Sequence, residues 1–368
     1  MVREMDFVDE CYADKDLSLL KKLTLVIPTY NRNYYLSRCL WYHAHFPFGQ
    51  IIVADSSPEE KKVVNRETVA KVREMFGSDI LYLEYEPETE KYGGDIYRKW
   101  GDAVMHVETE YSQICTDKEF LVPTTLCSLL GFLESNIDYV VASGNFLYYD
   151  KSLRIGLSGR RSSTNDDGVK RYCESLDSGW NQSQLLSLHR SEIQKEIYQP
   201  IINASINDIR FGERYVAFIS YAYGKMYHVN LSYNIRDIAN VKNPDNSINK
   251  NESSTLRYPQ LVEYDSESDY YQHSYDGCHN AILQILYEYG QYDTDRLESL
   301  WKSTISPILT RVGMSHPNYI SQIFHIIMTI TPEWILNIYR NKYAITPDKE
   351  SDVILKTILS NRSTNSLS

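Results

Sequence analysis

Two unbroken apolar runs rich in β-formers stand near the start of the patterned region. LTLVIP at 23–28 is closed by a proline, and IIVADSS at 51–57 ends on polar residues. Continuous apolar runs of this length predict strands buried on both faces. ILYLEYE at 80–86 and YVVASGNFLYY at 139–149 predict further strands, as does the short run at 111–115. Between them the apolar spacing changes to three and four, which predicts helices. These are NYYLSRCLWYHAHF (33–46), PEEKKVVNRETVAKVREMF (58–76), KYGGDIYRKWGDAVMHVET (91–109) and PTTLCSLLGFLESN (123–136). Strands alternating with helices predict an α/β fold, a mostly parallel sheet flanked by helices on both faces.

The pattern loosens after residue 150. Residues 151–180, containing LSGRRSSTNDDG, predict a mobile surface loop. SQLLSLHR (183–190) and MYHVNLSYNIRD (226–237) predict strands, and GERYVAFISYAYGK (212–225) predicts a helix. IANVKNPDNSINKNESST (238–255) is rich in Asn and Ser and marks a linker. Beyond it, HNAILQILYEYG, TDRLESLWKSTISPIL and NYISQIFHIIMTI carry helical spacing. The expected organisation is a leader at 1–22, an α/β domain at 23–240 and a linker at 241–270. A C-terminal helical appendage at 271–348 and a fraying polar tail at 349–368 complete it.

Composition narrows the function classes. With 368 residues, 42% of them hydrophobic, the chain can bury a large core. A net charge of −11 argues against a general nucleic-acid binder, which needs a basic face. No run approaches the roughly 18 apolar residues of a membrane span. The acidic start lacks the apolar core of a signal peptide, so a cytoplasmic location is expected. Six cysteines form no C-x-x-C pair and nine histidines form no H-E-x-x-H, so the thiols read as small buried hydrophobes and a zinc site is not expected.

Ligands of open α/β sheets bind outside the carboxyl ends of the strands. Those ends carry Pro28, Thr29, Tyr30, Asn31 and Arg32 after the first strand, and Asp55, Ser56 and Ser57 after the second. Thr116, Asp117, Lys118 and Glu119 follow the strand near 111–115. Each group alone also fits a plain polar turn. Together they point to one crevice lined by carboxylates and hydroxyls. Neither G-x-G-x-x-G nor a P-loop is present, which disfavours simple dinucleotide and P-loop binding, and no G-x-S-x-G elbow marks a hydrolase.

VIPTYNR (26–32) followed by IIVADSS (51–57) resembles the opening of family-2-type glycosyltransferases with the GT-A fold. GGDIYRKWGDAVMHVETEYSQICTDKEFLVP (93–123) resembles that family's glycine-led helix, fourth strand and acidic metal motif, and the resemblance spans residues 23–240. It implies that Pro28, Thr29, Tyr30, Arg32, Asp55, Ser56, Thr116 and Asp117 hold the donor nucleotide. Arg98 and Lys99 would add positive charge for its phosphates. Asp117 and Glu119 would occupy the D-x-D position and bind Mg²⁺ or Mn²⁺, which steadies the leaving diphosphate. The chain departs from the family at Lys118, whose ammonium either faces solvent or replaces part of the metal's charge.

Inverting transfer also needs a carboxylate base beside the acceptor hydroxyl. The family's acidic pair falls on NDIRFGERYVAF (207–218), where Glu213 is the first choice and Asp208 the second, with Arg214 in the usual place of the base. Glu213 equally suits a helix-start acid facing the dipole. Trp180 and His189 are candidate sugar or acceptor contacts, or else core residues. The implied function is transfer of a sugar from a nucleotide-sugar, a UDP-sugar first, to a carbohydrate acceptor in surface-polysaccharide or glycan assembly. Residues 318–343, with Trp334, Arg340 and Lys342, fit either a docked helix or peripheral membrane contact near a lipid-linked acceptor. The alternatives are a non-catalytic nucleotide- or glycan-binding relative and, less readily, a sugar-1-phosphate nucleotidylyltransferase.

Overall fold

A computed structural model of the protein describes residues 6–87, 96–149, 152–155, 161–177, 184–204, 206, 209–238, 269–289, 295–296, 298–299, 301 and 346–364. The first two apolar runs form β1 (Leu23–Thr29) and β2 (Gln50–Asp55), buried along their whole length. β3 (Ile80–Glu84) and β4 (Tyr111–Ile114) follow, then β5 (Glu119–Leu121), β6 (Tyr139–Tyr149) and β7 (Leu153–Ile155). β8 (Leu188–Arg190) and β9 (Lys225–Asp237) close the set. They make one sheet in the order β3-β2-β1-β4-β8-β6-β9-β5, with β7 on the flank of β6. Pairing is parallel from β3 through β2 and β1 to β4, and again between β6 and β9. β8, β7 and β5 run antiparallel to their neighbours.

Helices cover both faces. α1 (Asp6–Tyr12) precedes the sheet, and α2 (Asn33–His43), α3 (Glu59–Phe76), α4 (Ile96–Met105) and α5 (Pro123–Ser135) connect its first strands. α3 stops at Gly77, whose φ of 65° is the left-handed conformation glycine adopts without Cβ strain. Alternate residues of β1 feed opposite cores. Leu25 and Ile27 pack with α2 and α5, while Val26 packs with α4. That two-sided burial is why the run is apolar throughout rather than alternating.

Three segments differ from the sequence expectation. The stretch 151–180 holds β7 and the helix α6 (Gly168–Asp177), whose Arg171 donates to the Tyr221 and Ala222 carbonyls. The expected leader contributes Val8, Cys11 and Tyr12 to the main core. The expected polar tail forms a helix, Lys349–Thr364, whose Val353, Ile354, Leu355 and Ile358 enter the same core. From the appendage, the helix Asp269–Tyr289 buries Cys278, Ala281, Ile282 and Ile285 in the second core. Residues 318–343 lie outside the described residues. Among the described residues, no helix is long and apolar enough to cross a membrane.

Candidate functional site

The chain builds outward from β1 to β2 and β3, then returns to place β4 on the other side of β1. Strand order therefore reverses between β1 and β4, and the crevice at their carboxyl ends is where such sheets take ligands. Thr29 ends β1, and Thr116-Asp117 lies just past β4. Thr29 Oγ1 donates to Asp117 Oδ2 at 2.8 Å, closing the two sides of the crevice. Arg32 Nη1 stands 3.4 Å from Asp117 Oδ1. Asp117 is 1% exposed, whereas the Arg32 side chain keeps 20% of its surface. The carboxylate is thus a buried anchor and the guanidinium its outward arm.

The end of β2 is braced from three directions. Asp55, fully buried, accepts the Ser57 N–H at 2.8 Å, Asn65 Nδ2 at 2.7 Å and the Tyr82 hydroxyl at 2.5 Å. Ser57 Oγ in turn accepts the Asn31 N–H at 2.8 Å. Asn31 has φ of 53°, a left-handed conformation that asparagine tolerates better than most residues. Lys99, 2% exposed, donates to the Thr29 carbonyl at 3.2 Å and to Ser56 Oγ at 2.8 Å. Asp55, Ser57, Lys99 and Asn31 thereby fix the path of the chain leaving β1. Asp55, implied to hold the donor nucleotide, has no exposed surface and three internal donors.

The remaining donor-side candidates divide. Pro28 is buried within β1, Tyr30 and Thr116 are half-buried at the crevice ends, and Ser56 is buried under Lys99. Arg98 lies on the exposed face of α4, opposite the buried Lys99. Of the two implied phosphate cations, Lys99 alone reaches the strand ends.

CTDKEF is not one open turn. Thr116–Lys118 turns, and Glu119 begins β5, which pairs with β9 in a register that sets Glu119 opposite Arg236. Glu119 is fully buried; its Oε1 accepts Arg236 Nε at 2.8 Å as well as Arg236 Nη2, and its Oε2 accepts the Thr116 N–H at 3.0 Å. Lys118 sits between these acids with Nζ 4.3 Å from the centre of the Tyr35 ring. Burial, then repulsion from Arg32, pushes its pKa down to about 8, against the pull of Asp117 and Asp237. The Asp237 N–H donates to the Lys118 carbonyl at 2.9 Å, and the Asp237 carboxylate pairs with buried Arg38 at 2.9 Å. The Arg38 guanidinium also lies over the rings of Tyr34, Tyr35 and Phe120.

Arg236 and Asp237 escaped the sequence reading, although both close a strand, the same signal that singled out Asp55. Arg38 sits inside α2, and Asn65 inside α3, where nothing in the pattern marks them. Residue spacing alone could not bring them here.

The helix α7 (Ile209–Tyr223) carries Glu213 one turn in from its start, half-buried. Its charge is near enough to Arg236 to raise that group's pKa, after the larger opposing effect of burial and the raising effects of Glu119 and Tyr148. Glu213 therefore belongs to the same electrostatic cluster as the turn. Asp208 and Trp180 lie outside the described residues. His189 is fully buried in β8, with Nδ1 donating to the Ser187 carbonyl at 2.8 Å and Nε2 3.5 Å from Ser220 Oγ. Burial drops its pKa to about 4. It is a neutral core histidine, away from any surface a sugar could stack on.

For a hard divalent ion the donor set is thin. Glu119 is already neutralised by Arg236, which leaves Asp117 as the one carboxylate at the turn, itself in contact with Arg32. Positive charge here comes from fixed side chains: Arg32 and Lys118 flank the Asp117 carboxylate.

The fold is similar to that of solved structures. The crystal structure of S. aureus TarS residues 1–349 matches with a TM-score of 0.51 at 13% identity, over 94% of this chain and 90% of that one. The same TarS fragment in complex with UDP-GlcNAc matches with a TM-score of 0.51 at 14% identity over the same shares. No protein-family model matches the chain, and no curated protein matches it in sequence.

Proposed function

We propose that the protein is a glycosyltransferase that moves a sugar from a nucleotide-sugar to a carbohydrate acceptor. The observation that carries this reading is the cluster at the β1/β4 reversal, where Asp117 is tied to Thr29 and Arg32 beside Lys118. A nucleotide-sugar presents a diphosphate of about two negative charges that must depart with the bond electrons. Arg32 matches such a group through its fork of N–H donors, and Lys118 as a point charge. Similarity of fold to a protein solved with UDP-GlcNAc makes a UDP-sugar the first donor to test.

Fixed cations standing beside the leaving diphosphate can supply the stabilisation that a metal otherwise gives. The pairing of Glu119 with Arg236 favours this metal-independent form over a two-carboxylate Mg²⁺ or Mn²⁺ site. In the step itself, an acceptor hydroxyl oxygen bonds to the anomeric carbon while the bond to the diphosphate oxygen breaks. The nucleoside diphosphate takes the electron pair, and the hydroxyl proton passes to a carboxylate. Direct displacement inverts the anomeric configuration. Glu213 is the base, on the ground of its place in the cluster beside Arg236. A surface-polysaccharide or glycan acceptor carried on lipid at a membrane surface, met by a cytoplasmic enzyme, completes the proposal.

A non-catalytic nucleotide-binding protein is the second reading, favoured by the engagement of both Asp55 and Glu119 by internal partners. A thermal-shift screen of UDP, GDP, CMP and dTDP, each with Mn²⁺ or with EDTA, tests the binding claim. Ligand at 100 times its Kd stabilises by about 2.7 kcal/mol. The enzyme reading expects a shift with one nucleotide in EDTA and release of free sugar from the matching donor on long incubation. A shift without any sugar release supports the non-catalytic reading, and a shift that needs Mn²⁺ restores the metal.

A further inference from the structure

We propose that Cys39, His43 and Cys115 form a buried site for a soft divalent ion of the Zn²⁺ class, tying α2 to the turn after β4. The ligand atoms of these three residues lie within 4.8 Å of one another, and all three side chains are buried. Cys39 Sγ is 3.4 Å from His43 Nδ1, and Cys115 Sγ is 4.0 Å from His43 Nε2. In a tetrahedron with Zn–S near 2.3 Å and Zn–N near 2.0–2.1 Å, ligand atoms stand about 3.5–3.8 Å apart. Closing around an ion shortens the 4.0 Å from Cys115 Sγ to Nε2 by tenths of an ångström, and the wider separations, up to 4.8 Å, by about 1 Å.

The surroundings supply the rest. Both sulfurs face the Glu119 carbonyl oxygen, at 3.7 Å from Cys39 and 3.6 Å from Cys115, so that oxygen can serve as the fourth ligand. His43 Nδ1 is 2.9 Å from the Cys39 carbonyl, to which it donates. A metal-bound imidazole characteristically donates its other N–H to a carbonyl or carboxylate, which fixes the ring and leaves Nε2 as the ligand atom. Nε2 now accepts a long 3.3 Å bond from the Leu121 N–H, which the ion displaces together with the thiol contacts to the Thr116 and Glu119 carbonyls. Charge also balances: a dication with two thiolates and a neutral imidazole is neutral overall, which limits the cost of burial under Phe120 and Tyr42. Binding releases the two thiol protons.

Such an ion is structural. It has no open position and lies beneath Thr116–Glu119, so it would hold the donor turn against α2. Cys39 and His43 are four residues apart on one helix face, but Cys115 comes 76 residues after Cys39, a separation that hides the set from any spacing motif. The inference does not depend on the glycosyltransferase reading.

Cobalt tests it on the intact protein. The full chain, stripped with chelator under reductant, is titrated with Co²⁺ and its absorption recorded. One equivalent is expected to bring thiolate-to-cobalt charge transfer in the near ultraviolet and tetrahedral d–d bands in the visible, both abolished by one equivalent of Zn²⁺. Cys39→Ser and Cys115→Ser are expected to weaken binding more than tenfold, and Cys127→Ser to leave it unchanged. Absence of the charge-transfer band in the folded natural protein overturns the proposal, independently of whether the variants fold. Its survival in Cys115→Ser does so as well.

Discussion

Asn31 shows how much of the site rests on single backbone choices. Its φ of 53° aims the chain out of β1 and delivers its N–H to Ser57. Asn31→Gly should preserve the fold, whereas Asn31→Val should cost about 1–2 kcal/mol through Cβ strain. Urea midpoints of the two variants compare these directly, and equal losses would contradict the strain. His189 gives the pH-dependent counterpart. Burial holds it at about 4, below its ordinary value of 6.5, so the unfolded chain binds a proton that the native one refuses. Stability from this residue is intact above pH 6.5 and falls as pH drops toward 4, by up to about 3 kcal/mol. His189→Gln should flatten that dependence in unfolding midpoints taken from pH 7 to pH 4; an unchanged slope would place the titration elsewhere. At this scale the sequence showed the strand-end residues Thr29, Asp55 and Asp117. It did not show Asn65 and Tyr82, which hold Asp55, or Arg38, which holds Asp237; these come from helices and a neighbouring strand where no pattern marks a buried polar role.

The elements carry two tests. The helix Lys349–Thr364 buries Val353, Ile354, Leu355 and Ile358, and its Ile358 carbonyl stands 3.4 Å from Arg38 Nη1. Full burial of such side chains contributes about 1.5–3 kcal/mol each. A chain ended after residue 345 should therefore lose its cooperative melt near the natural midpoint, whereas removal of a frayed tail would change nothing. The pairing of β5 with β9 explains Glu119 in the same way. Sequence placed Glu119 two residues from Asp117 in one motif, but a three-residue strand starts at Glu119 and turns it to Arg236. So short a strand lacks a periodic signal. Glu119→Gln should destabilise the protein by about 1–3 kcal/mol, because the fully buried site at Glu119 loses its charge and the half-buried Arg236 its partner. Lost Mn²⁺ affinity with unchanged stability would instead make Glu119 a metal ligand.

For the whole molecule, the parallel half of the sheet was legible because β1 and β2 are buried on both faces and read as unbroken apolar runs. The mixed half was legible less fully, since β7 and β8 have only three residues each. The topology does what residue lists cannot: it brings the ends of β1 and β4 together and makes Asp117, Arg32 and Lys118 one place. The central claim is that this crevice holds the diphosphate of a nucleotide-sugar. Isothermal titration of UDP and GDP in EDTA, on the natural protein and on Asp117→Asn, Arg32→Ala and Arg98→Ala, measures it most directly. The expected result is binding of one nucleotide without metal, weakened more than tenfold by Asp117→Asn and Arg32→Ala and unchanged by the exposed Arg98→Ala. Binding untouched by Asp117→Asn and Arg32→Ala, or no binding of either nucleotide, would contradict it.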